Sequence, residues 1–185
     1  VHLSGFEAMG AVVTREGERY VTSAPQGLRG ARVFMDYPSV SGTQNVMMAA
    51  TLARGHTTIV NAATEPEVQE LANLLNGMGA RISGIGSQML EVEGVEAVHG
   101  TNARVMPDRI ETGTFLAAVA AAGGDVTIRD ADPSTLSAVI EKLIEAGVLG
   151  LTRAAAVELG AQRIRVNAIC PGSIQTEGVR LNVDP

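Results

Sequence analysis

Few side chains in this 185-residue sequence suit acid–base or nucleophilic chemistry, and they do not cluster. Cys170 is the only cysteine and Lys142 the only lysine; the remaining cations are thirteen arginines spread along the chain. One cysteine allows neither an intrachain disulfide nor a cysteine metal cage. His2, His56 and His99 lie far apart without ligand spacing, so no metal site is expected. His56 follows Gly55 and His99 precedes Gly100, which reads as exposed loop, and Lys142 falls on an ordinary helix face. Two stretches remain. Tyr37-Pro38-Ser39-Val40 runs into a helix, where free N–H groups favour an anion. Ser39, Ser41 or Thr43 could equally be a plain N-cap, the simpler reading on residue type alone. Asp108-Arg109-Ile110-Glu111 carries two carboxylates and a guanidinium. It reads either as a capping box with a surface arginine or as the lining of a cleft. Glu65 and Glu67 read as helix-start carboxylates favoured by the dipole. No catalytic residue can be assigned, and no cofactor is expected.

The elements that hold these residues follow from composition and punctuation. Hydrophobic residues make up 45% of the chain but aromatics only 3%, with no Trp, so the core must be built from Ala, Val, Leu, Ile and Met. Net charge is -6 with no basic stripe, which argues against nucleic acid as a partner. No apolar run approaches the roughly 18 residues of a membrane span and no signal peptide is visible, so a cytoplasmic protein is expected. A helix through residues 1–11 should stop at Gly10, followed by a hairpin of 12–14 with 19–22. Next come a strand at 31–36, a helix at 42–54 and a strand at 57–62. Thr64-Glu65-Pro66-Glu67 should cap a helix running to Met78. A second hairpin pairs 81–83 with 89–93. The pattern then restarts with a strand at 103–106, a helix at 110–122, a strand at 125–129 and a helix from Asp132-Pro133 to about Ala146.

That restart is an internal repeat. Met9-Gly10-Ala11 matches Met78-Gly79-Ala80, 69 positions on, and Ala146-Gly147 lies another 68 beyond Gly79. Ala31-Arg32-Val33 matches Ala103-Arg104-Val105, and Asn61-Ala62 matches Asp130-Ala131. Each unit reads strand–helix–strand–helix–hairpin. Copy one is present as its tail, copy two is whole, and copy three lacks its hairpin. Open strand edges and an uncovered apolar helix face would invite self-association.

Residues 1–147 resemble the enolpyruvyl transferase family, in its branch acting on UDP-N-acetylglucosamine. The resemblance rests on PSV within YPSVSGTQNVMMAATLARG, NAATEPEV, MGARISGIGS followed by LEVEGVE, and PDRIETGTFLAA. It implies an α/β fold of repeated βαβαββ units of the enolpyruvyl-transferase (inside-out α/β barrel) type, here incomplete. Residues 1–106 would be part of the sugar-nucleotide-side domain and 107–147 the start of a second domain. The implied reaction is enolpyruvyl transfer from phosphoenolpyruvate to UDP-N-acetylglucosamine in peptidoglycan precursor synthesis. The resemblance places Tyr37, Pro38, Ser39 and Val40 against the UDP portion, with Val1 a remnant of a second substrate loop. It places Asp108, Arg109 and Glu111 along the interdomain cleft. Many relatives have Gly where Ser41 stands, and some have Lys at Tyr37. The family's catalytic Cys, its Lys-Asn pair and its clamp arginines find no match here, which implies a chain inactive alone.

Residues 148–185 resemble a different family, the short-chain dehydrogenase/reductases. GVLGLTRAAAVEL and IRVNAICPGSIQT are similar to that family's helix–strand–loop beside the nicotinamide. The resemblance would put Pro171, Gly172, Ile174 and Thr176 against a dinucleotide. No Gly-rich Rossmann turn and no Tyr-x-x-x-Lys accompany them, so a tail of this length is not expected to bind NAD(P). The expectation is a fragment or chimera with a seam near Gly147. The alternatives are a nucleotide-sugar-binding or self-associating module without catalysis, and an NAD(P)-dependent oxidoreductase fragment.

Overall fold

The computed structural model describes residues 1–123 and 125–160, with backbone alone at 148–149 and 151–160. Two compact units result: Val1–Met106, and a second beginning at Pro107. In the first, helix α1 (His2–Ala8) leads into the hairpin β1 (Val12–Glu16) and β2 (Arg19–Ser23). Gly17 turns this hairpin with φ +64°, a conformation that costs glycine little. A complete βαβαββ unit follows: β3 (Arg32–Phe34), α2 (Val40–Thr51), β4 (His56–Val60), α3 (Pro66–Gly77), β5 (Arg81–Ser83) and β6 (Met89–Glu93). The four strands form one sheet in the order β3-β4-β6-β5, with β3 and β4 parallel and the other pairs antiparallel. The fold is mixed α/β, and the middle repeat is whole.

The core sits between this sheet and its helices. Val33, Ile59, Leu90 and Val92 point inward from alternate strand positions, and Val46, Met47, Ala50, Val68 and Ala72 meet them from α2 and α3. Met9, Met35 and Met47 are fully buried, so the flexible thioether fills the space that large aromatics would otherwise take. Close approach demands glycine twice. A Cβ on Gly30 would overlap the backbone of His56, and one on Gly94 would overlap the carbonyl of Ala53. The repeat extends to the backbone. Gly10 and Gly79 adopt φ +90° and +98°, and the matched pair Asn61 and Asp130 are the two non-glycine residues with positive φ among the described residues, 59° and 55°.

Three expectations fail within the first unit. His56 is not loop but the first residue of β4, where its Nε2 lies 3.1 Å from Glu91 Oε2 on the neighbouring strand. Helix α2 starts two residues earlier than expected, because Ser39 caps it: its Oγ accepts from the N–H of Gly42 at 3.2 Å. Thr64 does not cap α3. Glu65 occupies that position without a side-chain cap bond, Pro66 follows in the first turn, and the Gln69 side chain donates to the Thr64 carbonyl instead.

The second unit departs further. Helix α4 (Arg109–Ala122) forms as expected, but 103–106 and 125–129 are not strands. A strand is defined by a neighbour to bond to, and among the described residues neither segment has one; Val105 is 85% exposed. Asp132 caps a 3-10 turn at Pro133–Leu136, accepting from the N–H of Ser134 at 3.0 Å. Helix α5 then runs unbroken from Ser137 to Gly160. Gly147 therefore lies inside a helix and does not end one. Among the described residues, no helix is long and apolar enough to cross a membrane.

Candidate functional site

Parallel strands β3 and β4 both deliver their chains to the same end of the sheet, where α2 and α3 begin. Open α/β sheets bind ligands at such an end. Here it is held together from several directions. The Asn61 side chain, on its left-handed backbone, donates to the Met35 carbonyl at 2.8 Å and ties the two strand ends. The buried Thr43 Oγ1 accepts from the N–H of Ala63 at 3.0 Å, and Gln44 Nε2 donates to the Glu67 carbonyl at 3.3 Å. The first turn of α2 is thereby fixed to the loop after β4.

Helix α1 packs alongside α2 in parallel register. Val1 lies against Gly42 and Gly5 against Val46, so both helix starts are side by side. His2 bridges them: its Nδ1 lies 2.8 Å from Asn45 Nδ2 and its Nε2 3.4 Å from Ser41 Oγ. With Nδ1 accepting from the amide, Nε2 carries the proton and donates to Ser41. The sequence reading did not pick out His2 or Asn45. The available signal was the i, i+4 spacing of Ser41 and Asn45, which puts two polar groups on one face of α2.

The structure thus brings together Val1, Ser39 and Val40. Ser39 and Val40 are half-buried at the helix start, while Tyr37 and Pro38 are exposed just before it. Ser39 satisfies Gly42, and the N–H of Thr43 bonds back to the Ser39 carbonyl at 2.8 Å. The N–H groups of Val40 and Ser41 precede any intrahelical acceptor and point out of the helix end. Two parallel helix dipoles add their positive ends there. The arrangement can hold an anion through main-chain donors. Four arginines of the first unit lie away from it: Arg32 opens β3 at the far end of the sheet, Arg29 and Arg54 lie in the loops leading into β3 and β4, and Arg81 pairs with Glu93 at 2.7 Å on the same far side.

The other candidates are placed separately. Asp108 is the N-cap of α4, its Oδ1 accepting from Ile110 at 2.8 Å and Glu111 at 3.1 Å. Its carbonyl takes the Thr112 hydroxyl at 2.9 Å. Arg109 is half-buried in the first turn and Glu111 exposed beside it. Pro171, Gly172, Ile174 and Thr176 lie outside the described residues, as does Cys170. Lys142 is raised above the ordinary lysine pKa, first by its hydrogen bond to Glu145 at 2.7 Å and then by that carboxylate's charge, on an exposed helix face. Among the described residues no group of three or more His, Cys, Asp or Glu could hold a metal ion.

Known proteins bear on this geometry. A profile of the family EPSP synthase (3-phosphoshikimate 1-carboxyvinyltransferase) matches residues 1–183. The fold is similar to that of the enolpyruvyl transferase NikO from Streptomyces tendae, at 21% identity and a TM-score of 0.56 over 63% of this chain and 30% of that one. It is also similar to the EPSP synthase from Acinetobacter baumannii, at 20% identity and a TM-score of 0.51 over 64% of this chain and 27% of that one. The chain thus spans less than a third of either protein. The match extends past Gly147, and nothing in the comparisons supports a dehydrogenase-like tail. Matched by that profile over nearly its whole length, the chain belongs to the EPSP synthase/enolpyruvyl transferase family.

Proposed function

We propose that this chain provides acceptor-side binding for an enolpyruvyl transferase, with UDP-N-acetylglucosamine as the acceptor and phosphoenolpyruvate as the donor. One observation carries the reading: Val1, Ser39 and Val40 meet at the α2 start, with exposed Tyr37 beside them. Main-chain N–H groups suit a diphosphate, and an exposed aromatic ring suits the flat face of a uracil. The α2 start offers main-chain donors and a capping serine, so it is assigned binding and not turnover. Residues 107–147, with Asp108, Arg109 and Glu111 at their first helix start, are assigned to the start of the family's second domain on sequence resemblance.

Val40→Pro tests this. Proline is tolerated at the first helical position, and Ser39 already has the extended backbone (φ -103°, ψ 117°) that a following proline requires. The variant should keep its helix and lose one donor to the ligand. Titration calorimetry should show weaker binding of UDP-N-acetylglucosamine, by about tenfold for one charge-assisted hydrogen bond. Unchanged affinity would remove the site from the α2 start. Phosphate release from phosphoenolpyruvate and UDP-N-acetylglucosamine should stay at background.

A second reading takes 3-phosphoshikimate as acceptor, which the family description favours. A small, multiply charged acceptor depends on cationic side chains. Arg29, Arg32, Arg54 and Arg81 stand away from the α2 start, which supports the nucleotide sugar. Titrating both acceptors side by side separates the two readings.

A further inference from the structure

The last strand of a sheet turns half of its main-chain groups away from its only neighbour. Among the described residues β5 pairs with β6 alone, in the register Arg81↔Glu93, Ile82↔Val92 and Ser83↔Glu91. The outward groups of β5 are nevertheless occupied. Asn76 Oδ1 accepts from the N–H of Ile82 at 2.8 Å, and Asn76 Nδ2 donates to the Ile82 carbonyl at 2.9 Å. Antiparallel pairing alternates, so Arg81 and Ser83 face their main-chain groups toward β6 while Ile82 faces its own outward. One side-chain amide, acceptor and donor together, thus takes both bonds that a residue of a further strand would take.

The end of α3 sets Asn76 in place. It stands in the last turn of that helix, six residues before Ile82. Gly79 then turns the chain with φ +98°, and Ala80 donates back to the Leu75 carbonyl at 3.0 Å, which lays β5 beside the helix end. The Ile82 side chain is buried in the core, so strand and amide keep a fixed relation. The repeat itself does not require an amide here. Copy one has the same helix stop, Ala11 donating to the Phe6 carbonyl at 2.9 Å, and Val13 where Ile82 stands, but Glu7 in the place of Asn76. An ionised carboxylate only accepts and cannot hold both groups.

We propose that Asn76 closes the outer edge of this sheet, standing in for a neighbouring strand so that β5 does not accept one from a second copy of the protein. The edge would otherwise suit such a partner. Outward groups at Ile82 allow a two-fold pairing centred there, with Ile82 bonded to its counterpart and Arg81 opposite Ser83 of the other copy. No like charges face each other in that pairing, and Arg81 is already neutralised by Glu93 at 2.7 Å. Arg81 and Ser83 are exposed on the face away from the helices, since they alternate with the buried Ile82. Three residues with one charge protect an edge only in part, and the amide completes the closure.

Asn76→Ala tests this in the full chain. Alanine favours the helix and vacates the space beside Ile82. At about 1 mM chain, where even weak association shows, light scattering should read a higher mass for the variant than for the parent. The variant's melting temperature should also rise with its concentration. Adding Ser83→Lys sets a lysine opposite Arg81 of the other copy and should return the mass to the parent value. Hydrogen exchange on the parent chain does not depend on how the variant folds. There the Ile82 amide should exchange about tenfold more slowly than an amide open to water, as one net hydrogen bond implies. Three results would overturn the proposal: an Asn76→Ala mass equal to the parent's, a gain in mass that Ser83→Lys leaves in place, or an Ile82 amide that exchanges as an open one does.

Discussion

Thr43 illustrates how a small polar residue fixes a site. It is fully buried, and its Oγ1 is the acceptor for the N–H of Ala63, so it ties the start of α2 to the loop after β4. Thr43→Val keeps the shape but leaves that buried donor without a partner. The expected cost to the first unit is about 2 kcal/mol, read as a lower urea midpoint with an unchanged slope. An unchanged midpoint would show that another acceptor takes over. The sequence suggested Thr43 only as one of three possible caps, because its partner lies twenty residues away and on another element. Ser39 was legible to the same extent, as one of the three, since capping is local and depends on side-chain type. The neighbours Val1 and His2 were legible only through resemblance or not at all. Nothing local in residues 1–11 states which helix they pack against.

At the scale of elements, the same Met/Ala-Gly landmark has two outcomes. After α1 and α3 the glycine turns the chain, and the next residue closes the end: Ala11 donates to the Phe6 carbonyl at 2.9 Å and Ala80 to the Leu75 carbonyl at 3.0 Å. Ala11 and Ala80 are buried, so the strand that follows anchors the stop. Gly147 has no such anchor, and α5 continues through it. A Cβ at Gly147 would meet nothing within 4 Å. Gly147→Ala should therefore stabilise α5 by about 1 kcal/mol, with a helical signal that persists to higher temperature. A loss of helicity would mean that the helix breaks there after all. The missing strands at 103–106 and 125–129 follow the same logic in reverse. Their β-branched and apolar residues favour extension, yet propensity cannot supply a hydrogen-bonding neighbour.

For the whole molecule, the first unit holds the complete βαβαββ copy and the core cluster lies entirely within it. Residues 1–106 expressed alone should thus fold and unfold in a single cooperative transition, with coincident near- and far-ultraviolet dichroism. Separate transitions by the two probes would show that the core depends on residues beyond Met106. The sequence by itself determined the repeat, the order and type of nearly every element in copy two, the cap at Asp132, and the family, and it narrowed the α2 cap to Ser39, Ser41 or Thr43. All of these are written in spacing, turn residues and side-chain type, which act over a few positions or recur at a fixed interval. Only the tertiary structure decided that α1 and α2 start side by side, that His2 bridges them, that Arg29, Arg32, Arg54 and Arg81 stand at the far end of the sheet, and that Gly147 ends nothing. Each of these depends on a contact with a residue distant in sequence, and the free energy of such a contact exists only once the chain has brought the two partners together.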